Sequence, residues 1–379
     1  MPNTKKIQVL IIVGFLFRCL WCFYFECDAI SDAFRFRASA EVLLTTKVFT
    51  VDGKLSAFIL PGYPIFLALL GNLKWLVVFI QMVLGSISIF LIYQLAKKYF
   101  DEKTAFIAAL LFAVNINMIA YCGVFVSETL LLFLFLGYLV LPSGRWVKYL
   151  IASGIVLIKP VFILFFLYEL LWQHSKAKPR IVMALMVVSL PLFWCGRNFI
   201  QLKHVAISSN SGVNLYIGNN AFATGGYITP IAIEAEDEFE KDNHYFHEAV
   251  QYTQTHLEQL PKLLFKKQIH TWLNDGEALK YWTAKGLNDE LKKERLSYFV
   301  PLQLLIYFFI VGLSALYYLM NFRKINDYKL WAVVLFTILF TAVYFGNPRF
   351  HIQCIPVFCI FSAATISSFI RKIRKQKSL

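Results

Sequence analysis

Long apolar runs separated by short polar stretches are the main pattern of this sequence. Several runs approach the roughly 20 apolar residues that a helix needs to cross a bilayer core of about 30 Å. We therefore expect membrane-spanning helices at these runs. The predicted spans are 7–25, 75–96, 104–122, 127–141, 181–196, 298–320, 329–346 and 352–370.

A further apolar run, residues 148–172, is interrupted by Lys159-Pro160. Proline lacks a backbone donor and clashes with the preceding turn, so it ends or kinks a helix. We interpret this run as two short segments that turn back at the outer face of the membrane. With them the chain has about ten membrane segments, and the pattern predicts an all-α, multi-pass membrane protein with helices lying on its outer face.

The composition agrees with this class and excludes a soluble domain of the same length. Of the 379 residues, 58% are hydrophobic and 16% are charged, and the mean hydropathy is +0.60. A soluble domain carries less apolar sequence than this. The net charge of +14 does not indicate a nucleic-acid partner, because the basic residues form short clusters between the apolar runs.

Those basic clusters predict how the chain is oriented. Lys and Arg are concentrated on the cytoplasmic side of membrane proteins. If both termini are cytoplasmic, nearly every cluster falls on that side, at 5–6, 97–98, 145–148, 174–180, 323–329 and 371–377. No small-residue cleavage site follows the first apolar run, which we interpret as an uncleaved span.

This orientation divides the chain into three parts. Residues 1–196 form a transmembrane module whose first outer loop is 26–64, residues 197–297 form a small periplasmic region with amphipathic helices, and residues 298–379 form the last spans and a basic cytoplasmic tail. The seven cysteines lie mostly in or beside apolar runs, which is typical of buried thiols. They show neither a disulfide framework nor metal-ligand spacing.

The first outer loop is the first candidate for chemistry. Glu26, Asp28 and Asp32 follow the first apolar run, and carboxylates at a membrane face are costly unless they have a function. If this stretch is helical, Asp28 and Asp32 lie four residues apart on one face. Because Asp is also favoured at helix N-termini, capping or solvation is the alternative for Asp32.

Further charged residues lie at the predicted outer ends of apolar runs: Glu128, Lys159, Arg197 and Arg349, with His351 nearby. Carboxylates suit an acceptor hydroxyl or a metal, and basic side chains suit a phosphate. The structural alternatives are a buried Glu128–Lys159 pair, a snorkelling Lys159, and headgroup anchoring by the arginines. Because like charges repel without an anion between them, we predict that Lys159 and Arg349 share one anion, with Glu128 on the acceptor side.

Taken in order, these residues resemble the GT-C glycosyltransferases, membrane enzymes that use polyprenyl-phosphate sugars. The chain is most similar to bacterial relatives of protein O-mannosyltransferases and lipid A aminoarabinose transferases, and the resemblance covers most of its length. It rests on four features. They are Asp32 four residues before Phe36, the run Pro61-Gly62-Tyr63-Pro64 before IFLALL, Ser127-Glu128 at the start of a span, and Arg197-Asn198 followed by residues 208–227.

The resemblance implies transfer of a sugar from a polyprenyl-phosphate donor to an acceptor hydroxyl at the outer face of the membrane, with inversion. The shared anion is then the lipid phosphate. Catalytic candidates are Asp32 and Glu128, and substrate-binding candidates are Lys159, Arg349, Arg197, Tyr63, Asp28 and His351. The expected location is the bacterial inner (cytoplasmic) membrane, and the expected partners are the bilayer, the lipid-linked donor and a lipid, glycan or protein acceptor.

The chain also departs from the family pattern. Ala33 follows Asp32 where many relatives have a second acid, Leu60 stands where some have a basic residue, and Phe36 replaces a common Tyr. Whether the protein uses a metal therefore stays open, and a divalent metal ion is one alternative.

Two other functions are alternatives to glycosyl transfer. A lipid-linked-sugar polymerase or ligase would use outer-loop Arg and His, and a transporter or flippase would carry charge at the membrane midplane.

Overall fold

The computed structural model describes residues 3–173, 177–321 and 328–376. Almost all regular structure in these ranges is helical. The α-helices are α1 (Asn3–Tyr24), α2 (Asp32–Thr46), α3 (Gly62–Leu69), α4 (Lys74–Lys97), α5 (Glu102–Ala113), α6 (Ile116–Ala120), α7 (Glu128–Val140), α8 (Trp146–Val156), α9 (Phe162–Gln173), α10 (Ala177–Leu202), α11 (Ser211–Gly218), α12 (Glu238–Thr255), α13 (Leu260–Trp272), α14 (Ala284–Gly286), α15 (Glu290–Asn321), α16 (Tyr328–Val343) and α17 (Ile355–Gln376).

Short irregular elements complete the described chain. A hairpin pairs β1 (Thr50–Val51) with β2 (Lys54–Leu55) in antiparallel register. The 3₁₀ turns are Tyr121–Gly123, Leu257–Gln259 and Pro348–Cys354, and Ala278–Thr283 is a π-helix. The predicted all-α, multi-pass fold is confirmed.

Five helices in the described ranges are long and apolar enough to cross a membrane: Lys5–Tyr24, Lys74–Lys97, Arg180–Leu202, Glu290–Asn321 and Pro348–Arg374. A bent pair, α5 with α6, makes a sixth if it is one span. The other predicted spans form shorter apolar helices, among them Glu128–Val140, Trp146–Val156 and Lys329–Val343. These are shorter than the roughly 20 residues that a full crossing needs. The basic residues at 174–176 and 322–327 lie outside the described residues.

The span predicted over 104–122 is bent in the structure. α5 ends at Ala113, and α6 continues after a bend of 61°. The Asn115 side chain accepts a hydrogen bond from the Met118 backbone N–H at 3.0 Å and so caps α6. Asparagine often makes such local bonds in place of helical ones. At Lys159-Pro160 the helix is interrupted as predicted, between α8 and α9.

Close packing of α17 places the Pro348–Cys354 turn in the protein interior. α17 packs against α5 and α15, and α4 packs against α5 and α7. Small buried residues line these contacts, including Ala105, Ala108 and Ala363, each 0% exposed, which lets the helix backbones approach closely. The turn before α17 therefore begins at a defined position beside α7.

The first outer loop is attached to the start of α12. Asp237 caps α12 through the backbone N–H groups of Phe239 and Glu240. The neighbouring Glu238 carboxylate accepts from the Ala57 backbone N–H and from Ser56 Oγ, both at 2.6 Å. Glu238 thus fixes the loop that leads into α3.

Candidate active site

A cavity of about 1140 Å³ lies between α2, the α8–α9 break, α16 and the segment that follows α10. Its walls differ in chemistry. One end carries Asp32, Lys159 and Arg349, whereas another part of the lining is apolar. The apolar wall comes from α9 and α16 and includes Leu164, Phe165, Leu335, Phe336 and Leu339. The cavity is therefore shaped for an amphiphile with an anionic or polar head.

Three charged groups meet at the polar end of the cavity. Lys159 Nζ lies 3.2 Å from Glu128 Oε1, and Arg349 Nε lies 3.3 Å from the same oxygen. The Glu128 side chain is 0% exposed, whereas those of Lys159 and Arg349 are 17% and 20% exposed. Glu128 thus lies behind the two cations, which face the cavity.

A second carboxylate reaches the same arginine. Arg349 Nη1 lies 3.4 Å from Asp32 Oδ2, and the Asp32 side chain is 38% exposed. The Arg349 guanidinium also lies over the Trp282 ring, 5.7 Å from its centroid. The arginine is therefore held between a buried carboxylate and one that remains open to the cavity.

Local structure explains how each group reaches this point. Asp32 and Glu128 are the first residues of α2 and α7, where the helix dipole favours a negative charge. Lys159 lies in the proline-induced break between α8 and α9. Arg349 is the second residue of the Pro348–Cys354 3₁₀ turn, and its backbone N–H donates to Asn347 Oδ1 at 2.9 Å.

Lys159 and Arg349 share an anion within the protein, the Glu128 carboxylate, and a lipid phosphate shared between them stays a prediction. Glu128 was expected on the acceptor side, and its position between the two cations corrects that expectation. A fully buried carboxylate needs compensating charge, and both cations supply it. The structural alternative of a buried Glu128–Lys159 pair is therefore the observed geometry, while both cations keep one side toward the cavity.

The segment at 61–64 forms the turn into α3 and fixes one wall of the cavity. A Cβ on Gly62 would lie 2.7 Å from the Leu157 carbonyl oxygen, so this close approach requires glycine. Tyr63 is 1% exposed, and its hydroxyl donates to Gln81 Oε1 at 2.8 Å. The Tyr63 ring lines the cavity and packs edge-on against Phe36, but its hydroxyl is already bonded.

Asp28 does not share a helical face with Asp32. Ser31 has a positive φ of 50°, and α2 begins only at Asp32. Asp28 lies in the irregular segment before it, where Oδ1 is 3.6 Å from Lys74 Nζ and Oδ2 accepts from Asn288 Nδ2. The prediction of one acidic helix face is wrong because the chain turns sharply at Ser31.

Arg197 and His351 are not among the residues that line the cavity. Arg197 donates to the backbone carbonyls of Phe49, at 2.6 Å, and Ser56, at 3.1 Å, and so fixes the first outer loop. His351 is 0% exposed and lies beside Asp275. Arg197 and His351 were expected to contact the substrate directly, but neither side chain lines the cavity.

Sequence reasoning missed one residue that lines the cavity and two acidic residues near Arg349 and His351. Tyr227 lines it, and burial, with a further contribution from Asp32, raises the pKa of the Tyr227 hydroxyl, which therefore stays a hydrogen-bond donor. Burial likewise raises the pKa of Glu277 near Arg349. Asp275 stands in a short polar stretch, Asn274-Asp275-Gly276, whose interruption of apolar sequence was the available signal. Among the described residues, no three His, Cys, Asp or Glu side chains are grouped as metal ligands.

The chain is similar to known membrane glycosyltransferases. The family model described as dolichyl-phosphate-mannose-protein mannosyltransferase matches residues 63–195. The apo oligosaccharyltransferase of Archaeoglobus fulgidus aligns with a TM-score of 0.52 at 15% identity, over 100% of this chain and 51% of that one. ArnT from Cupriavidus metallidurans, bound to undecaprenyl phosphate, aligns with a TM-score of 0.52 at 11% identity, over 96% of this chain and 60% of that one. No curated protein sequence matches the chain.

The family-model match over residues 63–195 agrees with the predicted resemblance to the GT-C glycosyltransferases. At such low identities the solved structures show the fold alone. The chain spans only about half to three fifths of their length.

Proposed function

We propose that this protein transfers a sugar from a polyprenyl-phosphate donor to an acceptor hydroxyl, with inversion at the anomeric carbon. The observation that carries the proposal is the single cavity that joins a cationic end to a long apolar wall. A polyprenyl phosphate has the same division, since its phosphate is anionic and its tail is apolar.

The donor phosphate binds beside Lys159 and Arg349. Both side chains are partly exposed to the cavity and are held by Glu128 from behind. Held in this way, the cations are oriented before the donor arrives. Such preorganised charge stabilises the negative charge that grows on the departing polyprenyl phosphate, and the loss of one such donor commonly costs about 2.7–4 kcal/mol.

The lipid tail lies along the wall formed by α9 and α16. Leu164, Phe336 and Leu339 face the cavity there, and van der Waals packing of the tail against these side chains, in place of bilayer lipid, stabilises the bound donor. This contribution does not depend on the sugar. It therefore holds the donor while the sugar occupies the polar end.

Asp32 acts as the general base. Its side chain is the more exposed of the two carboxylates, and among the described residues its one ion pair is the 3.4 Å contact with Arg349. The acceptor oxygen bonds to the anomeric carbon, the bond from that carbon to the phosphate oxygen breaks, and Asp32 takes the hydroxyl proton. The transition state resembles an oxocarbenium ion, which a nearby carboxylate also stabilises.

The same proposal includes the location of the reaction and the class of substrates. We place both termini in the cytoplasm of a bacterial inner membrane, the cavity at the outer face, and residues 197–297 on the periplasmic side. The moving sugar is a hexose or a pentose, and the acceptor is a lipid, a glycan or a protein. The basic clusters support this orientation.

Release of undecaprenyl phosphate tests the proposal, because every acceptor yields this same product. Purified protein in nanodiscs is given undecaprenyl-phosphate mannose or undecaprenyl-phosphate aminoarabinose together with a membrane extract of the producing cells. We expect Asp32→Asn to slow release by about 10²–10⁴-fold with little change in the Kd of undecaprenyl phosphate. The matched control, Asp28→Asn, should keep the parent rate because Asp28 lies outside the cavity.

Two results would count against the proposal. If Asp32→Asn released product at the parent rate, Asp32 would not be the base. If the unmodified protein bound undecaprenyl phosphate but released none from either donor while moving donor across the bilayer, it would be a transporter.

A further inference from the structure

A fully buried polar cluster lies beneath the turn that carries Arg349. Asp275 Oδ1 accepts from Asn117 Nδ2 at 2.6 Å, and Asp275 Oδ2 accepts from Gln303 Nε2 at 2.7 Å. His351 Nε2 lies 3.3 Å from Asp275 Oδ1, and both side chains are 0% exposed. The cluster joins α6, α15 and the Pro348–Cys354 turn.

Both ring nitrogens of His351 face hydrogen-bond acceptors. Nδ1 lies 2.6 Å from the Thr271 carbonyl oxygen, which has no proton to donate. Nε2 faces the Asp275 carboxylate. A neutral imidazole has one N–H, whereas an imidazolium has two. The ring can therefore donate to both the Thr271 carbonyl oxygen and the Asp275 carboxylate only when Nδ1 and Nε2 each carry a proton.

The surroundings favour a charged ring. Trp272 and Tyr307 stack on His351 with centroid distances of 5.6 and 5.3 Å and interplanar angles of 15° and 19°, and aromatic faces attract cations. Within the described ranges, no lysine or arginine nitrogen lies within 4 Å of the Asp275 carboxylate. A buried carboxylate without a cation is strongly destabilising, and His351 is placed to supply that cation.

We propose that His351 is an imidazolium paired with Asp275 and that this buried ion pair positions Arg349. Residues 349 and 351 belong to one 3₁₀ turn, so fixing the ring fixes the backbone from which the arginine extends. Asp275 is thus a positioning residue that acts through His351 on the phosphate-binding end of the cavity. The effect on binding rests on the proposed function, whereas the charge state does not.

The charge state is tested by ¹⁵N NMR of the histidine-labelled full-length protein at pH 8.5, with His351→Gln to assign the signal. Exposed histidines are neutral at this pH. Among the described residues, the other titratable groups near the pair are Tyr121, Tyr307, Cys354 and Cys359. We expect one doubly protonated ring that disappears in His351→Gln. If the proton were on Asp275 instead, the spectrum would show neutral rings only. That result would overturn the ion pair.

Thermal stability gives an independent measurement of the same pair. His351→Gln leaves the Asp275 carboxylate without its cation, and Asp275→Asn leaves the ring without its counter-ion, so that it loses a proton and one hydrogen bond, whereas the double variant leaves two amides. The double variant should therefore melt at a higher temperature than either single variant. A melting temperature for Asp275→Asn at or above that of the parent would mean that the carboxylate is not balancing a cation, and this would overturn the proposal.

Binding tests the positioning role. We expect Asp275→Asn to raise the Kd of undecaprenyl phosphate about tenfold, the loss of roughly one charge-assisted hydrogen bond. The control is Glu169→Gln, which removes a buried carboxylate paired with Lys148 outside the cavity. Equal Kd values for the two variants would reject positioning. A parent that bound no undecaprenyl phosphate would overturn both the positioning role and the proposed function, while the NMR result would still decide the charge state.

Discussion

The chain contains two buried Lys–Glu pairs of nearly equal geometry, and they allow a matched test of the phosphate site. Lys159 Nζ lies 3.2 Å from Glu128 Oε1, and Lys148 Nζ lies 3.3 Å from Glu169 Oε1. Lys159 lines the cavity and Lys148 does not. Replacing each lysine with methionine removes the charge but keeps an unbranched apolar chain.

Both variants should lose stability, by different amounts. Removing one partner of a buried ion pair costs about 3–5 kcal/mol. In Lys159→Met, Glu128 keeps Arg349 Nε at 3.3 Å. The free energy of unfolding should therefore decrease by ~3 kcal/mol, the lower end of this range. No second lysine or arginine in the described residues lies within 4 Å of Glu169. Lys148→Met should therefore decrease the free energy of unfolding by ~5 kcal/mol, the upper end of the range. The control is thus the more destabilised protein.

Donor binding should rank the variants in the opposite order. A hydrogen bond to a charged group contributes about 1.5–3 kcal/mol, so Lys159→Met should raise the Kd of undecaprenyl phosphate roughly 10- to 150-fold. Lys148→Met should leave it within about twofold. Equilibrium binding of radiolabelled undecaprenyl phosphate to protein in nanodiscs measures both. If the two variants bound it equally well, Lys159 would be only a structural partner of Glu128.

Two further predictions concern the segment before Arg349 and its neighbour Lys267. Gly346→Ala should lower the melting temperature because the added Cβ would lie 2.0 Å from the Lys267 carbonyl oxygen. The control Gly312→Ala should not lower it, because no atom lies within 4 Å of its Cβ. Equal melting temperatures for the two variants would contradict this prediction. Burial lowers the pKa of Lys267 from 10.5 to about 8, so the folded state binds fewer protons than the unfolded state between these values. The free energy of unfolding should therefore rise with pH across this window, by on the order of 3 kcal/mol. Denaturation of Lys267→Met from pH 7.5 to 10 should show a smaller rise, and an unchanged pH dependence would refute the assignment.

The class of the protein could be predicted from the sequence because apolar run length is a local property. Each long run must form a helix that satisfies its own backbone in a bilayer, and α1, α4, α15 and α17 correspond closely to the predicted spans. The break at Lys159-Pro160 follows from proline alone. The bend after Ala113 does not, because an asparagine in an apolar run is equally compatible with a continuous helix.

The sequence also nominated charged residues one by one, since each is costly at a membrane face. It could not show which of them meet. Asp32 and Arg349 are 317 residues apart in the chain and 3.4 Å apart in the fold. Local periodicity contains no information about such long-range contacts.

Tertiary structure alone decided how each charge is used. It placed Glu128 between two cations, turned Arg197 toward the backbone of the first outer loop, and buried His351 against Asp275. The physical reason is that a charge removed from water must find compensation from whichever helix packs against it. The sequence therefore determined the helices and the candidate charges, and the packing of α7, α9 and α17 determined their partners.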